Sequence, residues 1–110
     1  MDSKLIYSAA EHMNLIIEWN TNWVHFGTDN SIKYEMITKL IDEFFSEDQL
    51  YFVQSRSNSR IFQKIDFIDL YQGFLGKSNF QIWEINFNRC VQFEKIGVLK
   101  QGSVKSLNLS

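Results

Sequence analysis

A chain of 110 residues, 45% of them hydrophobic and 22% charged, has the make-up of one globular domain, with room for one sizeable core rather than two. Its net charge of −2 opposes phosphate attraction by the domain as a whole, and no apolar run nears the roughly 18 residues that span a bilayer. "MDSKLIYSAAEHM" lacks the basic start and apolar centre of a secretory signal, and a lone cysteine, Cys90, excludes an internal disulfide and predicts a cytoplasmic protein.

The charges are unevenly spread. Up to Ser55, nine acidic residues face Lys4, Lys33 and Lys39, a balance of −6; from Arg56 onward, eight basic residues face Asp66, Asp69, Glu84 and Glu94, a balance of +4. Such polarity either creates opposed surface fields that steer a charged partner, or is neutralised where the halves pack together. With 15% aromatic residues, some rings should also reach the surface.

In chain order, Ile6, Ala9, Ala10, Met13, Ile16 and Ile17 fit one helical face, which predicts a helix from about Lys4 to Trp19 with Ser8 and Glu11 as a capping box. The rival is a strand in "NLIIEW", where Leu15, Ile17 and Trp19 alternate, turned by "NTN" toward "WVHFG". The helix in "SIKYEMITKLIDEFF" is the plainest element. Ile32, Met36, Ile37, Leu40, Ile41, Phe44 and Phe45 make one stripe, Asp29, Asn30 or Ser31 can cap it, and Glu35 with Lys39 is an i,i+4 pair. "LYFVQS" and "RIFQKI" then read as strands around a "RSNS" turn. "IDFIDLYQGFLG" reads as a third helix, with Asp66 as N-cap, Ile65 and Leu70 as a hydrophobic staple, Gly76 as C-cap, and Phe67, Leu70, Tyr71, Phe74 and Leu75 buried. "NFQIWEINFNRCVQFEKIGVLK" reads as strands with a turn at Asn88 and Arg89 and a bend at Gly97; apolar residues on both faces place the first strand centrally. The fold class is α+β: two N-terminal helices and a third central helix on a mainly antiparallel sheet of about four to five strands, one domain over 1–102, and a flexible tail over 103–110.

Residues that carry chemistry are sparse. His12 and His25 have no metal-ligand spacing, so neither a metal nor another cofactor is expected. His25 with Arg56, Arg60 and Lys64 of "RSNSRIFQK" could make a small RNA-cleaving enzyme, against the simpler reading of a solvated hairpin tip. "FNRCVQF" is similar to strands that stack bases, but needs a basic strip around Lys95 and Lys100 that the composition does not favour. The strongest surface signal is "DEFFSEDQL". Asp42 and Glu43 lie at a helix C-terminus, where carboxylates are disfavoured, while Glu47 and Asp48 can be absorbed by a capping box beginning at Ser46. Tyr34 and Tyr51 flank the cluster, as Trp19 and Trp23 flank a polar turn. Tyrosines and tryptophans beside charge suit interface anchors.

"NFQIWEINFNRCVQFEKIGVLKQG", with "WVHFGTDNSIKYEMITKLIDEFF", resembles the bacterial immunity proteins of contact-dependent growth inhibition systems. The resemblance implies a cytoplasmic protein, not an enzyme, that binds one cognate toxin domain, often a nuclease, and blocks its active site or substrate groove. It carries over no functional residues. On the residues themselves, Asp42, Glu43, Glu47 and Asp48 are expected to supply the field toward a basic toxin and Tyr34 and Tyr51 the contacts, with no catalytic residue, no direct nucleic acid and no membrane as partner. The alternatives are a small interaction or homodimeric protein, or the RNA-cleaving enzyme through His25.

Overall fold

A computed structural model of the protein describes residues 2–104. Asp2 opens it: its carboxylate accepts the Leu5 N–H at 3.0 Å and so caps α1 (Ser3–Met13), while Ser8 lies mid-helix. Ile6 and Ala10 are buried on the inner side of α1. The helix stops six residues short of Trp19, and beyond it the strand reading prevails, with β1 (Ile17–Trp19) and β2 (Val24–His25). Between them the Asn20 side chain accepts the Asn22 N–H at 2.9 Å, a local turn. Yet the two strands do not pair with each other. Both lie on β7 (Val98–Val104), with Ile17 opposite Val104 and His25 opposite Val98.

After a 3-10 turn at Asp29–Ser31, closed by the Ser31 hydroxyl donating to the Thr28 carbonyl at 2.7 Å, α2 runs Tyr34–Phe44. Lys33 precedes α2 without a side-chain cap, so Asp29, Asn30 and Ser31 do not cap it, and Glu35 and Lys39 form no ion pair. Its stripe is as the spacing predicts: Ile37, Ile41 and the following Phe45 are buried, with Met36, Leu40 and Phe44 packed beside them. β3 (Gln49–Ser55) and β4 (Asn58–Gln63) form the expected hairpin around Arg56 and Ser57. The expected third helix is shorter: a 3-10 turn at Lys64–Asp66 leads into α3 (Phe67–Tyr71), and Gly76 closes the segment at φ +72°. Asp66 makes no side-chain cap bond. Ile65 and Leu70 are both exposed, so they form no staple and Leu70 is not part of the buried face. The 3-10 turn rotates Ile65 away from the side that Phe67 and Tyr71 bury.

β5 (Phe80–Glu84), β6 (Arg89–Glu94) and β7 complete a meander, with the β5–β6 turn at residues 85–88 rather than at Asn88 and Arg89. The sheet order is β1-β7-β6-β5-β3-β4, with β2 also on β7, and every pairing is antiparallel. The α+β class and the three helices stand, but the described residues hold seven strands rather than four to five, because β1 and β2 add to the β7 edge. β5 is central, as its two apolar faces predict. β7 continues to Val104, with Ser103 opposite Arg89, so Ser103 and Val104 belong to the sheet; 105–110, the rest of the expected tail, lie outside the described residues.

The period of two along each strand sorts the core into two layers. Leu50, Phe52, Phe80, Ile82, Val91, Phe93 and Leu99 face α2 and α3, whereas Tyr51, Val53, Trp83 and Cys90 face α1, which packs on β3 and β4. At the turn between β6 and β7, Gly97 has φ +89°, and its carbonyl accepts the N–H groups of Phe26 and Gly27 at 2.8 and 3.1 Å. A Cβ there would stand 2.8 Å from the Gly27 carbonyl oxygen, a backbone atom with no rotamer to move. Gly97→Ala is therefore expected to cost about 3 kcal/mol, from the positive φ and the contact together, read as a lower urea midpoint at an unchanged slope.

Candidate functional site

One face of α2 along its length, the connection to β3 and the Lys64–Asp66 turn enclose an open groove of about 830 Å³. Tyr34, Thr38, Ile41 and Asp42 reach it from α2 because residues three, four, seven and eight apart share a helix face. Ile41, Phe67 and Ile68 give it an apolar lining; Asp48, Gln63, Lys64 and Ile65 supply the opposite rim. Lys64 is the joint. Its N–H donates to the Asp48 carbonyl at 2.7 Å, and its ammonium donates to the Phe45 carbonyl at 2.8 Å while standing 3.3 Å from the Asp42 carboxylate. The cation thus satisfies a carbonyl just past the α2 C-terminus, where positive charge is favoured. Asp42 is 73% exposed, so the ion pair itself is worth less than about 1 kcal/mol.

A second cation closes the same helix end. Arg89 of β6 donates to the Phe44 carbonyl at 2.8 Å and lies 5.5 Å over the Phe44 ring. At this point the acidic and basic halves of the sequence do meet: the last turn of α2 carries Asp42 and Glu43, and Lys64 and Arg89 answer it. The neutralisation is local, since Glu43, Glu47 and Asp48 remain exposed without ion pairs.

The residues of "DEFFSEDQL" separate in space. Asp42 and Asp48 line the groove, whereas Glu43 lies on the other flank of α2 beside Leu40 and Phe44. Glu47 and Asp48 form a bend leading into β3 at Gln49 rather than a helical turn, so no capping box absorbs them. Tyr34 is on the groove and 39% exposed. Tyr51 is not at the surface: it is 7% exposed, stacked on Phe87 at 5.0 Å on the far side of the sheet. The reason is the strand period, since Leu50 and Phe52 take the α2 side and Tyr51 must take the other.

Glu84 is buried where β5 ends, opposite Leu50. Burial pushes its carboxyl above the ordinary 4.5; Arg89 opposes the shift, Glu47 adds to it, and the Asn88 backbone N–H opposes it. The folded state therefore holds this proton more tightly than the unfolded chain does. Its contribution to stability is greatest below 4.5 and falls as pH rises through the folded value. Glu84→Gln is expected to remove that slope, so the variant gains on the native protein between pH 4 and pH 7 in paired urea titrations.

The residues proposed for RNA cleavage are not brought together. His25 is exposed on β2, and Arg56 sits at the β3–β4 turn, with β7, β6, β5 and β3 between them, on the order of 20 Å at about 4.8 Å per strand. Phe87, Cys90 and Phe93 of "FNRCVQF" are buried and offer bases no stacking face. Burial also raises the Cys90 thiol well above its ordinary range. Among the described residues no group of three or more His, Cys, Asp or Glu could hold a metal ion, and no helix is long and apolar enough to cross a membrane.

Sequence reasoning misses Lys64 and Ile65 as groove residues. It groups Lys64 with the hairpin arginines and assigns Ile65 to a staple; the legible signal is a lysine and an isoleucine just past a strand, facing an acidic helix end. Comparison of the chain with protein-family models, with curated proteins and with solved structures finds no match.

Proposed function

We propose that the protein is an immunity protein that binds a cognate bacterial toxin domain in the cytoplasm and neutralises it, the toxin surface being basic, as a nuclease's substrate groove is. The observation that carries this reading is the groove's rim. Ile65 is 91% exposed although nothing in the fold requires an isoleucine in water there, and it stands with exposed Tyr34 among the carboxylates of Glu35, Asp42 and Asp48. Apolar and tyrosine anchors ringed by charge are the usual make-up of a binding hot spot. On the groove itself Glu35, Asp42 and Asp48 outnumber Lys39 and Lys64, three carboxylates to two ammonium groups. The occupant is therefore a cationic surface with an apolar projection.

The test pairs the chain with the toxin domain encoded beside it. Cells producing the toxin should survive when this chain is co-produced, and the two should purify as one complex. Ile65→Asp is expected to weaken the complex about tenfold or more. Because Ile65 packs against nothing it would vacate, unfolding of the free variant should be unchanged. Full protection by Ile65→Asp together with Tyr34→Ala would reject the groove as the binding surface.

A further inference from the structure

On the sheet face that carries α1, the part over β7 bears a different cluster. The Lys100 ammonium lies 4.5 Å from the ring centroid of Trp19 and 4.9 Å from that of Trp23. The arrangement is set by backbone close approach: Gly102 faces Trp19 across the β1–β7 pair, and a Cβ there would stand 2.7 Å from Trp19 Cε3 and 2.8 Å from Ile17 Cδ1. Lys100 makes neither an ion pair nor a hydrogen bond among the described residues. Across the strand pair Gln92 stands opposite Lys100, but its amide is spent on a side-chain chain of its own, donating Nε2 to Glu94 at 2.6 Å and accepting from Gln81 Nε2 at 2.9 Å. Lys100 is thus a half-buried residue whose ammonium lies against two indoles, with its N–H donors unspent on acceptors among the described residues. Trp23 is 47% exposed beside it.

We propose that this surface is a second binding site, for an acidic segment of a partner protein whose carboxylate reaches Lys100 while an adjacent apolar side chain lies on Trp23. An ammonium fixed by flanking rings loses little rotamer freedom on pairing, and partial burial strengthens the pair over one in open solvent. A nucleic-acid strand fits less well, since phosphate tracking needs several cations, and among the described residues Lys100 is the cation that these two indoles hold. The site is on the opposite face of the sheet from the groove at α2, and at the other end of the strand order, on β7 and the β1 and β2 strands beside it rather than near β4. One partner therefore leaves the other surface open.

The probe is a capped six-residue peptide of alternating aspartate and leucine, titrated against indole emission, with the lysine-for-aspartate peptide and oligothymidylate run alongside. Saturable binding of the acidic peptide is expected, weakened about tenfold or more by Lys100→Met and by Trp23→Ala, each with an unchanged unfolding midpoint. The lysine peptide should not bind. Absence of saturable binding, equal binding to Lys100→Met, or binding of oligothymidylate in place of the peptide would each overturn the proposal. So would sedimentation showing a dimer that Trp23→Ala dissolves, which assigns the surface to a second copy of the chain.

Discussion

Truncating Phe52 to alanine is expected to lower the unfolding free energy by about 3–5 kcal/mol, the largest effect of any single side chain in the main core. Phe52 is fully buried on the central part of β3, its ring stacked on Tyr71 at 4.1 Å and 2° and packed on Phe74 at 5.3 Å and Phe80 at 5.2 Å. Those partners come from the α3 segment and from β5, which are fixed from opposite directions by the chain. The cavity cannot collapse by moving one of them without opening another contact, so the loss should lie toward the upper end. Domains of this size are stable by only about 5–15 kcal/mol, so the variant should be close to unfolding at 37 °C. Thermal and urea unfolding of Phe52→Ala and Phe52→Leu would check it, the leucine variant keeping most of the volume. The Tyr71 hydroxyl supplies a second readout: it is buried without a hydrogen-bond partner, and burial pushes it up to about 12, with Arg60 opposing. A cavity at position 52 that admits water beside Tyr71 should bring that titration down.

The elements that can be read from the sequence are those in which one local signal acts alone. The α2 stripe, the β3–β4 hairpin with its "RSNS" turn, and the central place of β5 each follow from a period and a turn signal within a dozen residues. The errors fall where a distant segment decides. Ile16 and Ile17 continue the helical spacing of α1, yet Ile17 enters a strand because β7, some eighty residues on, offers it an unpaired edge. Ile65 and Leu70 have staple spacing, but Lys64 is drawn to the α2 C-terminus, and the 3-10 turn this imposes leaves Ile65 in solvent. The groove is half legible for the same reason. Asp42 in the last turn of α2, Asp48 just beyond it and Tyr34 at the start of α2 are surface residues that can be found from the sequence; Tyr51 is misplaced because its neighbours Leu50 and Phe52 settle which side it takes. No spacing in "DEFFSEDQL" announces that Lys64 and Arg89 arrive to cap the helix from two different strands' ends.

That capping changes how the acidic surface should be tested. Reversing all four carboxylates would confound two effects, since a lysine at position 42 would confront Lys64 at the helix end it holds. Glu47→Lys with Asp48→Lys leaves the Lys64 contacts to Phe45 and Asp42 intact and changes the local charge by four units. Against a basic toxin surface this pair is expected to slow association about 10- to 100-fold at low ionic strength, because steering by complementary fields acts on the encounter. The difference should shrink as salt rises, with the Debye length falling from about 30 Å at 0.01 M to about 8 Å at 0.15 M. Dissociation should change much less. Ile65→Asp is expected to behave in the opposite sense, speeding dissociation more than it slows association, because an anchor acts after contact. The two variants therefore separate field from anchor on one surface. If Glu47→Lys with Asp48→Lys changed dissociation alone, these carboxylates would be direct contacts rather than a steering field, and the toxin surface would have to present cations within hydrogen-bond reach of the α2–β3 connection.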